Sequence, residues 1–200
     1  MLYIILLRAA GFIYLAAQIV YSSMEKETFW KIMETASMAA EEEKAGKITQ
    51  LLTSCSLEDI TDFEIILREA IIELDDFSIM GILKVMTGRV SDDAYVYFRC
   101  WLISQGKAVV ETARTQPDNL AAIVQENTYP DFEELLYVAD DAYLQKSGLT
   151  EEEAEDNLPR NVAYERGLDY DFEAPPTKGI QWTADDLPRL YPKLWAIYNA

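Results

Sequence analysis

The feature that most constrains the fold is an apolar stripe that repeats every three or four residues. Its members are Ile60, Phe63, Leu67, Ile71 and Leu74. This spacing places all five side chains on one face of an α-helix. Just before the stripe, Ser56 is followed three residues later by Asp59, an arrangement typical of a capping box at the start of a helix. The segment therefore predicts an amphipathic helix whose apolar face contacts a core.

The same helical period continues along most of the chain from Phe29. We expect Gly46 to break the first helical region and Gly88 to end the helix that follows the stripe. Ser91 is expected to cap the next helix, which is rich in aromatic residues. Pro130 is expected at the first position of a later helix, because proline fits there without the loss of a hydrogen bond.

The last quarter of the chain is less regular. Residues 159–180 show no period and contain Pro175-Pro176, which predicts an irregular loop. Short C-terminal helices are expected after it, one of them capped by Thr183. No run of alternating residues requires a sheet. We therefore predict an all-α fold, a single compact multi-helix domain over residues 24–200.

Apolar residues dominate the segment 1–23, in which Arg8 is the one charge, and three interpretations stay open. A start codon assigned too early is favoured, because Met24 begins a polar and then amphipathic segment. A transmembrane anchor would place Arg8 in the bilayer at a cost of roughly 2.5–3.5 kcal/mol. A signal peptide would lack its usual basic beginning. We expect a cytoplasmic protein, or a membrane-anchored one if residues 1–23 are an anchor.

The chain is strongly acidic, with 35 acidic and 17 basic residues and a formal net charge of -18. Such a surface repels phosphate backbones, so we predict no binding to nucleic acid. Three explanations of the charge remain open. They are a basic protein partner, a bound cation, and solubility alone.

The chain contains no histidine. This removes the usual general base near neutral pH and the nucleophile pairs that depend on it. Cys55 and Cys100 form no CxxC pair, so a zinc site built on thiolates is excluded. We predict no cofactor and no metal site, and we favour a function other than catalysis.

Arg99 is the residue that most suggests chemistry. It lies two turns after Asp92 on nearly the same helical face, with Asp93, Tyr95 and Trp101 nearby. One hypothesis places these five residues around the pocket of a small enzyme or ligand-binding domain, where the guanidinium binds a planar anion. The other, favoured because acids outnumber bases, makes Arg99 half of an internal ion pair stacked on an aromatic ring.

Three aromatic residues near the C-terminus form a second candidate group. They are Trp182, Tyr191 and Trp195. Large rings anchor protein interfaces, but they more often belong to the core, which we favour here.

Residues 91–107 read SDDAYVYFRCWLISQGK and resemble the bacterial domain-of-unknown-function family numbered 4240, whose hallmark is SDD…F..FR.WLI..G. Phe29-Trp30 and the stretch from Glu134 to Tyr143 fit the same family. So does the closing pattern of Trp182, Asp186, Leu187, Tyr191, Pro192, Leu194 and Trp195. The resemblance implies a bacterial, largely helical domain that begins near Met24. It implies no activity and no catalytic residues.

The leading functional hypothesis is a protein-interaction or immunity-type module that binds a basic protein, such as a toxin that it neutralises. Complementary charge speeds such an encounter and selects the partner. The rival is the enzyme or ligand-binding domain with Asp92, Asp93 and Arg99 at a pocket.

Overall fold

The computed structural model describes residues 23–170, 176 and 178–199. Within them the chain is all-α, as predicted, and Asp76 and Lys178 form an isolated β-bridge. The α-helices are α1 (Lys26–Ala36), α2 (Lys44–Thr53), α3 (Leu57–Glu73), α4 (Phe77–Thr87), α5 (Asp92–Ser104), α6 (Lys107–Thr115), α7 (Val138–Ser147), α8 (Glu151–Ala154), α9 (Pro159–Glu165), α10 (Leu187–Leu190) and α11 (Pro192–Tyr198). Short 3-10 helices cover Glu41–Glu43, Pro117–Ala122, Glu133–Leu136, Glu155–Asn157 and Ala184–Asp186.

Helix α3 begins where the sequence predicts. The Ser56 hydroxyl accepts from the Asp59 backbone N–H at 3.0 Å, and the Asp59 carboxylate accepts in return from the Ser56 N–H at 3.3 Å. This capping box satisfies backbone N–H groups that have no partner inside the helix. The predicted apolar stripe is buried along its whole length, so the local prediction of this helix is confirmed.

Helix α3 is the centre of the molecule. It contacts α1 and α2, α5, α7 and α9. Helix α5 is buried along most of its length, and it contributes Phe98, Cys100 and Leu102 to the same core as Phe29 and Phe63. The first two turns of α5 follow Ser91, whose hydroxyl accepts from the Ala94 N–H at 3.3 Å, as predicted. The core therefore forms around two helices whose starts are fixed locally.

Three local predictions were wrong. Gly46 lies inside α2 and does not break a helix, because its neighbours supply an apolar face that outweighs the propensity cost of one glycine. Pro130 precedes a short 3-10 helix, Glu133–Leu136, and the α-helix begins only at Val138. Residues 159–165 of the expected loop form helix α9, with Pro159 in its first turn.

Helix α9 has two turns, so it is too short for a periodic apolar signal. Leu158 and Ala163 nevertheless bury it against the rest of the fold. Residues 171–175 and 177 of the expected loop and the segment 1–22 lie outside the described residues. Within the described part of the chain, no helix combines the length and apolar character needed to cross a bilayer.

Candidate functional site

Arg99 lies inside the protein, with 2% of its surface exposed. Its Nη1 donates to the Ile71 carbonyl at 3.0 Å and lies 3.6 Å from the Asp75 carboxylate, while Nε donates to the Tyr95 carbonyl at 3.3 Å. The guanidinium also sits 4.4 Å from the centre of the Tyr95 ring. Arg99 is thus the cation of an internal ion pair whose acid is Asp75.

Tyr95 joins the end of α3 to the start of α4. Its hydroxyl accepts from the Asp76 backbone N–H at 3.0 Å and lies 3.1 Å from the Asp76 carbonyl. Burial raises the pKa of this phenol well above its ordinary value. Tyr95 and Arg99 together therefore hold the turn between α3 and α4 against α5.

The other members of the predicted group lie elsewhere. Asp92 and Asp93 are exposed in the first turn of α5, where the helix dipole favours negative charge. Trp101 is buried and stacks on Phe98, with 6.0 Å between ring centres. The structure therefore joins Arg99 to Tyr95, but it places the two aspartates and Trp101 apart from that pair.

The C-terminal aromatic residues divide in a similar way. Tyr191 is buried and its hydroxyl donates to the Ser78 carbonyl at 2.9 Å. Trp182 donates from Nε1 to the Phe77 carbonyl at 2.6 Å, and Trp195 is half-buried against the core. Trp182 and Tyr191 line a shallow apolar cleft beside the exposed Ile180, and Trp195 does not.

A different region has the chemistry of a binding site. A groove of about 530 Å³ lies between the 3-10 helix Glu41–Glu43 and residues 127–134, and we call it the acidic groove. Its lining consists of four carboxylates, three aromatic rings and two small polar side chains. These residues are Glu41, Glu42, Asp131 and Glu134; Trp101, Tyr129 and Phe132; and Asn127 and Thr128.

The backbone explains how the acidic groove forms. The Phe132 N–H donates to the Tyr97 carbonyl at 3.3 Å, which holds residues 130–132 against α5. Phe132 is buried by this contact, whereas Tyr129 projects from the loop with 72% of its surface exposed. An exposed ring therefore stands beside carboxylates that two different segments of the chain supply.

The charge of the acidic groove is largely uncompensated. Glu41 pairs with the buried Lys44 at 2.7 Å. Glu42, Asp131 and Glu134 make no ion pair with any residue that the structure describes. Burial and the negative charge of Glu134 raise the pKa of Asp131 above its ordinary value. A cation in the groove would relieve this repulsion.

A second groove, of about 680 Å³, adjoins the acidic groove at Glu134, and we call it the neighbouring groove. Helix α2 supplies small side chains to it, among them Ala45 and Gly46, and nothing lies within 4 Å of a β-carbon built on Gly46. Lys146 donates to the carbonyl of Thr53, one of the lining residues, at 3.2 Å. The neighbouring groove is therefore roomy, and its charged lining residues, Glu134 and Asp141, are both acidic.

Sequence reasoning missed both grooves. The run of acids at Glu41–Glu43 was visible, but it is typical of a solvated helix end and carries no information about Asp131, which is far away in sequence. Trp101 was a candidate for another reason, its place beside Arg99. No local pattern could have joined these segments, because α5 brings them together.

Comparison with known proteins identifies the family of the chain. A family model, described as a protein of unknown function (DUF4240), matches residues 24–145, which is more than half of the chain. No curated protein and no solved structure matches. The acidic groove lies wholly within the matched residues.

Proposed function

The chain belongs to the DUF4240 family of proteins of unknown function, and we propose that this member is a protein-interaction module. Its acidic groove binds a basic segment of a partner protein. The observation that carries the proposal is the set of carboxylates and rings around one groove, with no lysine or arginine among the described residues that line it.

The chemistry of the lining selects the partner. An arginine or lysine side chain gains an ion pair from Glu42, Asp131 or Glu134 and a cation–π contact from Tyr129. The net charge of -18 adds long-range attraction, which raises the rate of encounter with a basic surface. A segment with spaced basic residues, rather than a single cation, therefore fits the groove.

The neighbouring groove gives the bound segment room to continue. Because α2 presents small side chains there, the main chain of a partner can approach closely. The exposed Tyr137 and the carboxylate of Asp141 line the same groove. The same chemistry serves an immunity-type role, in which the basic partner is a toxin.

Fluorescence anisotropy tests the proposal with two labelled peptides of equal length, one alternating arginine with serine and the other glutamate with serine. We expect the basic peptide to bind with an affinity that falls as salt is added, and the acidic peptide not to bind. The groove variant carries Glu42→Gln, Asp131→Asn and Glu134→Gln. It should weaken binding by about tenfold or more.

A matched control separates the groove from the general negative field. It carries Glu152→Gln, Glu155→Gln and Asp156→Asn, three exposed acids that do not line the groove. Both variants lose three charges, so a diffuse field predicts equal losses of affinity. Equal losses would overturn the proposal, and a selective loss in the groove variant would support it.

A further inference from the structure

Three charged side chains are buried together beneath helix α9. Glu64 and Arg68 are one turn apart on α3, and Asp140 lies on α7. Glu64 is 2% exposed, and Arg68 and Asp140 are each 7% exposed. Charged groups are rarely buried to this degree unless each is paired, so every contact in the cluster matters.

Arg68 connects the segment that follows α9 to α3. Its Nε donates to Glu64 Oε1 at 2.6 Å, and its Nη1 donates to the Leu168 carbonyl at 2.9 Å. The guanidinium also lies 5.1 Å from the centre of the Tyr170 ring. One buried cation therefore holds residues 168–170 in place.

Asp140 ties the other end of α9 to α7. Its Oδ1 accepts from the Arg160 backbone N–H at 3.1 Å, and its Oδ2 lies 3.1 Å from Arg160 Nε. The Arg160 guanidinium makes a second ion pair with Glu151 on α8. Asp140 thus holds the start of helix α9, and Arg68 holds the segment that follows its end.

Two oxygens in this cluster have no hydrogen-bond donor among the described residues. They are Glu64 Oε2 and Asp140 Oδ2, and both are fully buried. Asp140 Oδ2 has the nearby charge of Arg160, although not in hydrogen-bonding geometry. Arg68 binds only the other oxygen of Glu64, so an ionised Glu64 would keep Oε2 in the interior without a hydrogen bond.

The groups around Glu64 do not fully stabilise its charge. The positive charges of Arg68 and Arg160 favour the ionised form of Glu64, whereas the negative charge of Asp140 opposes it. The charge of Glu64 also raises the pKa values of the nearby Cys100 and Tyr170. Burial is the largest effect, and it raises the pKa of Glu64 to about 7. A neutral carboxyl keeps Oε1 as an acceptor for Arg68 and removes the charge from the unpaired oxygen.

We propose that Glu64 binds a proton while residues 158–170 are packed against α3 and α7, and that loss of this proton near neutral pH loosens these residues from the two helices. The direction follows from linkage. A carboxyl whose pKa is higher in the folded chain than in the unfolded chain stabilises the fold fully below its ordinary pKa. That stabilisation is lost as the pH rises through about 7, the pKa of the folded state.

Hydrogen exchange measured by mass spectrometry tests the proposal. After correction for the intrinsic exchange rate, we expect the amides of residues 160–170 to open about tenfold more at about pH 8 than at about pH 6. In the Glu64→Gln variant, which mimics the protonated side chain, opening should not change with pH. Glu58→Gln, an exposed change on the same helix, should behave like the wild type.

Two outcomes would overturn the proposal. One is a wild type with no change between the two pH values, and the other is a Glu64→Gln variant that keeps the full change. If Glu64→Gln does not fold, the ¹³C shift of the Glu64 carboxyl in the wild type decides instead. A titration midpoint near 7 supports proton binding, whereas one below about 5 excludes it.

Discussion

The ring of Tyr191 lies against the backbone of Gly81, and the space between them is too small for a β-carbon. An ideal β-carbon on Gly81 would lie 2.5 Å from the Tyr191 hydroxyl oxygen and 2.9 Å from its ring. The Tyr191 side chain cannot move aside easily, because it is 3% exposed and its hydroxyl donates a hydrogen bond to the Ser78 carbonyl. Helix α4 and the turn before α11 therefore depend on a glycine for their close approach.

The first prediction concerns this contact. Alanine normally stabilises a helix interior by up to about 1 kcal/mol relative to glycine. At Gly81 we expect the steric clash with Tyr191 to outweigh this gain in helix propensity. Gly81→Ala should therefore destabilise the fold by about 1–3 kcal/mol in urea denaturation. Gly46→Ala is the control, because that site is helical and open, and it should stabilise the fold. Stabilisation at both positions would show that Tyr191 moves aside.

The second prediction concerns Arg99. Lysine keeps the positive charge but cannot reproduce the guanidinium contacts with the Ile71 carbonyl, Asp75 and the Tyr95 ring. We expect Arg99→Lys to lower the free energy of unfolding by about 2–3 kcal/mol. It should leave binding of the basic peptide unchanged, since Arg99 does not line the acidic groove.

Arg114→Lys is the control for that experiment. Arg114 pairs with Glu73 at 2.7 Å, but both side chains are largely exposed, and such pairs contribute about 0–1 kcal/mol. A loss at Arg99 no larger than the loss at Arg114 would contradict the structural role assigned to Arg99.

The third prediction concerns the start of α3. Ser56→Ala removes the acceptor for the Asp59 N–H and should destabilise the protein by about 1 kcal/mol. Ser37→Ala makes the same change after the end of α1, where the hydroxyl donates to the Glu34 carbonyl, and should cost less than about 0.5 kcal/mol. Thermal unfolding of both variants provides the measurement. Equal shifts in Tm would argue against the capping box.

The fourth prediction concerns the cysteines. Cys100 is fully buried, and burial raises the pKa of its thiol far above the ordinary value. Burial also raises the pKa of the partly buried Cys55. At about pH 8 we expect iodoacetamide to modify Cys55 slowly and Cys100 only after unfolding. Peptide mass mapping measures both rates, and rapid labelling of native Cys100 would show that the core opens.

The sequence predicted those parts of the fold whose causes are local. The capping box at Ser56 and the stripe from Ile60 to Leu74 lie within one helix, so their pattern contains the whole explanation. The ion pair of Arg99 shows that such local patterns do not predict contacts between helices. Its sequence neighbours suggested Asp92, but its acid is Asp75, which the turn between α3 and α4 brings to it.

The grooves and the buried cluster could not be predicted for the same reason. The acidic groove joins residues near 41 with residues near 131, and the cluster joins Glu64 with Asp140. Nothing in either segment identifies the other, because their contact depends on how α5 and α7 pass α3. The helix α9 was missed because two turns with Leu158 and Ala163 contain too few apolar residues to establish a period.

The end of the family match and the end of the packed structure do not coincide, and helix α9 lies between them. The family match ends at residue 145, but Asp140 and Arg68 take their remaining partners from residues 160 and 168. A fragment that ends at residue 145 would lose the groups that pair with Arg68 and Asp140, together with the buried side chains of Leu158 and Ala163. The residues that complete this buried cluster therefore extend beyond those that the family model matches.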